Sequence, residues 1–329
     1  MTTVPTLTWS LLESSTNTVN SDIIKELRDA MTGIGFFYLS ELQEAIPLVH
    51  KIEQGFRVFF QQDEKFKNSI AMKNGGLSWR GFFPCGSELT AGVPDAKEGV
   101  YLGPDHPPHH EEVVKGTPTF GQNQWPKGSE YKSLKNQVDQ YIYTMNKIGS
   151  TLMEAISLAL GLPKDYFSRT YTQSAVNLLR VFHYPPNQKG WGVAEHTDMG
   201  FLTFLHQDKL GGLEVRNTSG NWEEVPPKKD CFVINIGDML EFVTGGHLKA
   251  TPHRVKNLSQ QSRISIPFFY DPSWTTTLTK IPSDLLTIKG NEEIAAKRWD
   301  GLNLKSLEWK NITYGEFVWR KIREVFPHL

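Results

Sequence analysis

Within 191–265, the tripeptide His196-Thr197-Asp198 sets an imidazole and a carboxylate two residues apart. On an extended strand, residues i and i+2 share a face, so the two side chains are expected to project in one direction. Together they supply two of the three ligands of a 2-His-1-carboxylate facial triad, the arrangement that leaves adjacent positions on Fe(II) open for substrate and oxygen. The third ligand must come from elsewhere in the chain, and His253, in Thr251-Pro252-His253-Arg254-Val255, is the candidate. Shortly beyond it, Arg263-Ile264-Ser265 repeats the i, i+2 spacing with a guanidinium and a hydroxyl. That pair is a receptor for a carboxylate, because the planar fork of arginine matches two carboxylate oxygens. A metal and an organic acid in one pocket are what these five residues predict.

Such groups need a rigid frame. From Ala175 onward the chain falls into short apolar runs separated by turn signals, at 178–182, 201–205, 213–215, 232–236, 239–243 and 264–269. Runs of this length predict an antiparallel sandwich or barrel, and closing two sheets into a jelly roll protects their edges and leaves a mouth for a ligand. Upstream, a short strand is expected near 4–7. Ser21 caps a helix with Ile23, Ile24, Leu27, Ala30 and Met31 on one face, ended by Gly33 and Gly35. A buried strand over 36–39 precedes a second helix carrying Leu48, Ile52, Phe56 and Phe59.

From 74 to 126, repeated Gly and Pro predict a long loop, of the kind that is functional or mobile inside a compact domain. Its segment His106-Pro107-Pro108-His109-His110 is expected to be an extended surface loop with solvated imidazoles, metal chelation being the alternative. Leu134, Val138, Tyr141, Met145, Ile148, Leu152 and Ile156 recur at helical spacing and predict a long amphipathic helix bracing a sheet. Further helices are expected over 294–299 and 315–325. With no internal repeat or linker, residues 1–329 are expected to form one domain. In it, 1–126 is a helical and loop portion walling the pocket, and 175–270 is the jelly-roll core with the metal site.

Composition narrows the class. At 39% hydrophobic and 22% charged residues, the chain is globular rather than disordered. A net charge of −1 without a basic block argues against nucleic acid and anionic membranes as partners and leaves a small molecule. Cys85 and Cys231 are too few for a disulfide framework and are expected to be unpaired. The N-terminus lacks the charged and apolar regions of a signal peptide, and no apolar span reaches membrane length, so a cytoplasmic location is expected.

With these residues in order, the sequence resembles the isopenicillin-N-synthase-like branch of the Fe(II)/2-oxoglutarate-dependent dioxygenases. The likeness rests on His196-x-Asp198, His253 in a His-Arg-Val context and Arg263-x-Ser265. It extends to Gly35-Phe36-Phe37, Arg80-Gly81-Phe82, Asp95-Ala96-Lys97-Glu98, Gly211-Gly212-Leu213, Asn235-Ile236-Gly237-Asp238 and Thr313-Tyr314-Gly315-Glu316. The resemblance implies a mainly β fold with flanking helices around a double-stranded β-helix. It implies Fe(II) on His196, Asp198 and His253, with 2-oxoglutarate and O2 as cosubstrates and ascorbate as an accessory. Arg263, Ser265 and Tyr184 would hold the far carboxylate of 2-oxoglutarate, whose decarboxylation to succinate and CO2 is coupled to hydroxylation, desaturation or cyclisation of a small molecule. Where many plant relatives carry asparagine two positions before that tyrosine, this chain has Phe182.

By the same analogy, Arg80, Phe83, Tyr101 and Leu102 are candidate substrate walls, with packing, or an ion pair from Arg80 to Glu98, as the plainer role. Two other readings stay open: an Fe(II) oxidase of the same fold that needs no 2-oxo acid, and a silent jelly-roll protein with a structural metal. A fourth protein ligand would favour the silent protein, and His206 is the nearest candidate for one. His183 and His247 are expected to pack or face solvent, and Arg254 to point away from the metal into an ion pair.

Overall fold

The computed structural model describes residues 4–18, 21–90, 92–186, 190–257, 259–287 and 312–326. The helix expected over 294–299 lies outside the described residues. In chain order the strands are β1 (Thr6–Thr8), β2 (Phe36–Ser40), β3 (Gly81–Phe83), β4 (Leu89–Thr90), β5 (Val93–Pro94), β6 (Glu98–Leu102) and β7 (Ala175–Tyr184). They continue with β8 (Val193–His196), β9 (Leu202–Gln207), β10 (Leu213–Arg216), β11 (Trp222–Glu224), β12 (Cys231–Ile236), β13 (His253–Val255) and β14 (Arg263–Ser273). The helices are α1 (Trp9–Thr18), α2 (Ser21–Thr32), α3 (Ile46–Phe60), α4 (Glu64–Asn68), α5 (Glu111–Val114), α6 (Ser129–Ala159), α7 (Tyr166–Thr170), α8 (Asp238–Val243) and α9 (Tyr314–Val325).

A major sheet runs β1-β2-β12-β9-β14-β7-β6-β3 and a minor sheet β11-β10-β13-β8; β4 and β5 form a separate hairpin. Every pairing in the two sheets is antiparallel except that of β1 with β2. This is the double-stranded β-helix with flanking helices that the short apolar runs predict. The aliphatic stripe of α6 from Leu134 to Ile156 is buried as expected, and each such side chain contributes about 1.5–3 kcal/mol. Close approach of α6 to the major sheet depends on Gly149, where a Cβ would stand 2.4 Å from the Tyr270 ring on β14.

Three elements depart from expectation. The run 239–243, expected as a strand, is the buried helix α8. Its first turn is tied to the site loop, since the Asp238 N–H donates to the Asp198 carbonyl at 2.7 Å. A five-residue apolar run carries too little periodicity to tell a buried helix from a strand. Helix α1 was not expected, because its Ser/Thr/Asn-rich sequence has weak intrinsic propensity; buried Trp9 and Leu12 anchor it in the core instead. Finally, the long loop of 74–126 contains β3 and β6, which extend the major sheet beyond β7, and β6 is buried at every residue.

Candidate active site

His196 closes β8 and His253 opens β13, and the two are Cα partners across the minor sheet. Their rings lie 4.2 Å apart between centroids. The strand ends at His196, so the carboxylate of Asp198 is not aligned by strand alternation as the sequence suggested. It is aimed by hydrogen bonds instead: Asn235 Nδ2 on β12 donates to Asp198 Oδ2 at 2.7 Å, and Thr203 Oγ1 on β9 donates to the same oxygen. Asp198 Oδ1 is left 3.7 Å from Nε2 of both His196 and His253. The three ligand atoms lie within 4.8 Å of one another.

The far nitrogens of the imidazoles are accounted for as well. His196 Nδ1 donates to the Ala194 carbonyl at 2.8 Å, and His253 Nδ1 to the Thr251 carbonyl at 3.1 Å. Those bonds fix the tautomers and turn both Nε2 lone pairs to the common point, as metal-ligating histidines require. Burial, reinforced by the neighbouring His253, lowers the His196 imidazole to about 4 and keeps it neutral. Burial works against the charge on Asp198, but both imidazoles and the bonds from Asn235 and Thr203 outweigh it and hold the carboxyl below its usual range. Two imidazole nitrogens and one carboxylate oxygen converging from one side fit a single Fe(II).

Arg263 and Ser265 share a face of β14, and Tyr184 sits opposite Arg263 on β7. The guanidinium lies over the Tyr184 ring at 4.7 Å, and Nε donates to the Gly211 carbonyl. Both terminal nitrogens of Arg263 are buried with no hydrogen-bond partner among the described residues. The Tyr184 hydroxyl lies 3.3 Å from Ser265 Oγ. Buried guanidinium nitrogens are rarely left empty, so this cradle fits an acid that brings its own acceptors.

All six residues border one cavity of about 450 Å³, which α9 also lines through Val318 and Ile322. Of the expected walls only Tyr101 borders it. Arg80 instead donates to the carbonyls of Leu102 and Thr119, and Phe83 packs edge-on to Tyr101 and Phe326. Glu98, considered as a partner for Arg80, pairs with Lys67 and His183. His206 donates to Glu53 at 2.8 Å and supplies no fourth ligand. His247 is half-buried after α8. Arg254 points away, bonded to Glu214 and stacked between Trp191 and Trp222. His106 and His110 are not free solvated imidazoles, since their rings pack on each other and on Phe120. Burial lowers His106 to about 4. Cys85 and Cys231 are unpaired.

Sequence reasoning missed Thr203 and Arg180, and it named Asn235 only within a family landmark, without its bond to Asp198. Leu178, Arg180, Phe182 and Tyr184 all line the cavity, so counting back by twos from Tyr184 would have found Arg180. Nothing in the sequence marks Thr203.

A jelly roll that gathers two histidines and one carboxylate beside an arginine with unfilled terminal nitrogens defines the class of non-haem iron oxygenases. Comparison agrees: residues 175–272 match the 2OG-Fe(II) oxygenase superfamily, and residues 4–128 match the N-terminal region of the non-haem dioxygenases in morphine synthesis. The chain is 38% identical to an iron/ascorbate oxidoreductase of Dictyostelium discoideum, over 93% of this chain and 90% of that one. It is 31% identical to a 1-aminocyclopropane-1-carboxylate oxidase of Dictyostelium mucoroides, over 98% and 95%. A crystal structure of a 2OG-Fe(II) oxygenase family protein from Caulobacter crescentus superposes with a TM-score of 0.77 at 26% identity, covering 99% of this chain and all of that one. The chain therefore belongs to the Fe(II)/2-oxoglutarate-dependent dioxygenase family. It is an oxidoreductase that uses Fe(II), 2-oxoglutarate and O2 to oxidise a small molecule.

Proposed function

We propose that His196, Asp198 and His253 hold the iron, and that Arg263, Ser265 and Tyr184 hold the distal carboxylate of 2-oxoglutarate, in a single catalytic unit spanning 1–329. The observation that carries this reading is the pair of empty, buried Arg263 nitrogens in the same cavity as three converging ligand atoms. When bound, the iron supplies oxygen activation coupled to decarboxylation of the 2-oxo acid. The chain's own groups position and shield. Asn235 and Thr203 hold Asp198 to one free oxygen, so that it offers the ion a single atom. The backbone carbonyls of residues 194 and 251 keep the imidazoles facing inward. Arg263 fixes the cosubstrate at its far end and so orients its keto acid toward the iron ligands. Phe182, facing the same cavity, offers packing where an asparagine would offer a hydrogen bond.

A cytosolic setting suits an enzyme with two free thiols, and we include it in the reading. Anaerobic addition of Fe(II) and 2-oxoglutarate to the apoprotein tests the whole arrangement. A visible charge-transfer band is expected from the chelate, followed by succinate on admission of oxygen with substrate. Oxygen uptake without succinate would move the protein to the oxidases that need no 2-oxo acid.

A further inference from the structure

We propose that Arg180 is the receptor for a carboxylate on the substrate, so that this enzyme oxidises a small carboxylic acid. The inference rests on the cavity reading above and extends it from the cosubstrate to the substrate. Arg180 lies on β7 and lines the cavity together with the metal ligands and Arg263. Its guanidinium carbon sits 4.4 Å from the Tyr101 ring centroid and 4.7 Å from that of Phe269. Two aromatic rings thus clamp the planar group, leaving its edge as the part able to meet a ligand.

No hydrogen bond leaves this guanidinium among the described residues, and Nε is wholly shielded without a partner. The nearest carboxylate oxygen, Glu88 Oε1, stands 3.7 Å from its terminal nitrogen, beyond hydrogen-bond range. Glu88 is already engaged, by Lys97 at 2.7 Å and by the Tyr101 hydroxyl at 2.6 Å. Lys97 in turn also pairs with Asp95. Asp198 and Asp271 add further negative charge at this wall, and with Tyr101 and Glu88 they outweigh burial and hold the guanidinium above its usual range, yet none of them gives it a hydrogen-bond acceptor; Asp271 itself accepts from the Phe201 N–H. A mostly enclosed guanidinium, 17% exposed, that makes no hydrogen bond among the described residues offers its donors to a ligand that brings acceptors. Arg263 serves the cosubstrate, so the cavity holds two separate anion receptors. Leu178, Leu205, Pro267, Phe269, Val318 and Ile322 offer an apolar surface for the rest of such a molecule. An amine would bring donors, not acceptors, to a guanidinium that lacks an acceptor.

The test uses the Fe(II)-loaded protein with saturating 2-oxoglutarate under anaerobic conditions. Pentanoate, octanoate and phenylacetate are titrated against their primary amides, read by perturbation of the charge-transfer band and by calorimetry. Acids are expected to bind about tenfold or more tightly than amides. Arg180→Gln should weaken the acids on the order of a hundredfold with 2-oxoglutarate affinity unchanged, and Arg180→Lys should restore part of the loss. Glu88→Gln should tighten them severalfold by removing the competing charge. Amides binding as well as acids, no acid binding, or acid affinity unchanged in Arg180→Gln would each overturn the proposal. If the band itself fails to form, the cosubstrate reading falls, while calorimetry with the Fe(II)-loaded protein still decides Arg180. Should Arg180→Gln not fold, Glu88→Gln decides alone, and unchanged acid binding in it counts against the proposal.

Discussion

Arg80 and Arg263 are each only 1% exposed, yet their surroundings treat them in opposite ways. At the corner where β3 meets β6, both terminal nitrogens of Arg80 donate to backbone carbonyls at 2.9 Å. The fit is close enough that a Cβ at Gly103 would lie 2.1 Å from that guanidinium. At the mouth of β14, both terminal nitrogens of Arg263 are empty and border the cavity. Depth of burial is the same in the two regions, so it cannot separate a structural charge from a binding one. What separates them is whether the terminal nitrogens are filled; at Nε the order is reversed, Arg80's being without a partner among the described residues and Arg263's donating to Gly211.

Substitution should pull the two regions apart. Arg263→Gln is expected to weaken 2-oxoglutarate by about 2–5 kcal/mol, measured by anaerobic titration of the charge-transfer band, with a smaller loss of folding stability than Arg80→Gln because only the Gly211 carbonyl loses its donor. A variant that binds the cosubstrate normally would erase the contrast. Arg80→Gln should do the reverse, costing about 1–3 kcal/mol in urea unfolding because two buried carbonyls lose their donors, with cosubstrate affinity held within about twofold.

Asp271, at the far end of β14 from Arg263, extends the contrast to an acid. Burial raises its carboxyl to about 7, against the opposing bonds from the Phe201 N–H and Tyr314. The folded protein therefore keeps a proton that the unfolded chain releases near pH 4. Its contribution to stability is complete below that pH and is lost as pH rises through about 7. Between pH 6 and 8, wild-type stability should fall by about 1 kcal/mol more than that of Asp271→Asn, read from denaturation at each pH. Parallel pH profiles would refute the assignment. The smallest effect is expected from Tyr184→Phe, about 0.5–1.5 kcal/mol in cosubstrate affinity, since its hydroxyl reaches Ser265 Oγ at only 3.3 Å.

The convergence of His196, Asp198 and His253 beside Arg263 was legible because this combination of residue types is rare and its order along the chain is restrictive. Strands such as β7, β12 and β14 were legible because β-branched and aromatic residues cluster in them. Two kinds of information were not local enough to read. Arg80 looked functional by type and neighbourhood, and only folding brings the carbonyls of Leu102 and Thr119 to it. Asp198 looked aligned by its strand, whereas β8 stops short and distant Asn235 and Thr203 set its direction. The helix α8 was hidden by brevity, and β3 and β6 by the glycines and prolines around them. Arg180 was hidden because a lone arginine in a strand has no signature until its neighbours are known.

The facing of His196 and His253 across β8 and β13 has a consequence for assembly. A slip of one rung would turn one imidazole to the opposite side of the sheet, where it could not reach the ion. On the ligand set proposed above, iron capture would act as a proofreader of strand alignment: a molecule that had gripped its metal would, by that act, have certified that its minor sheet closed correctly.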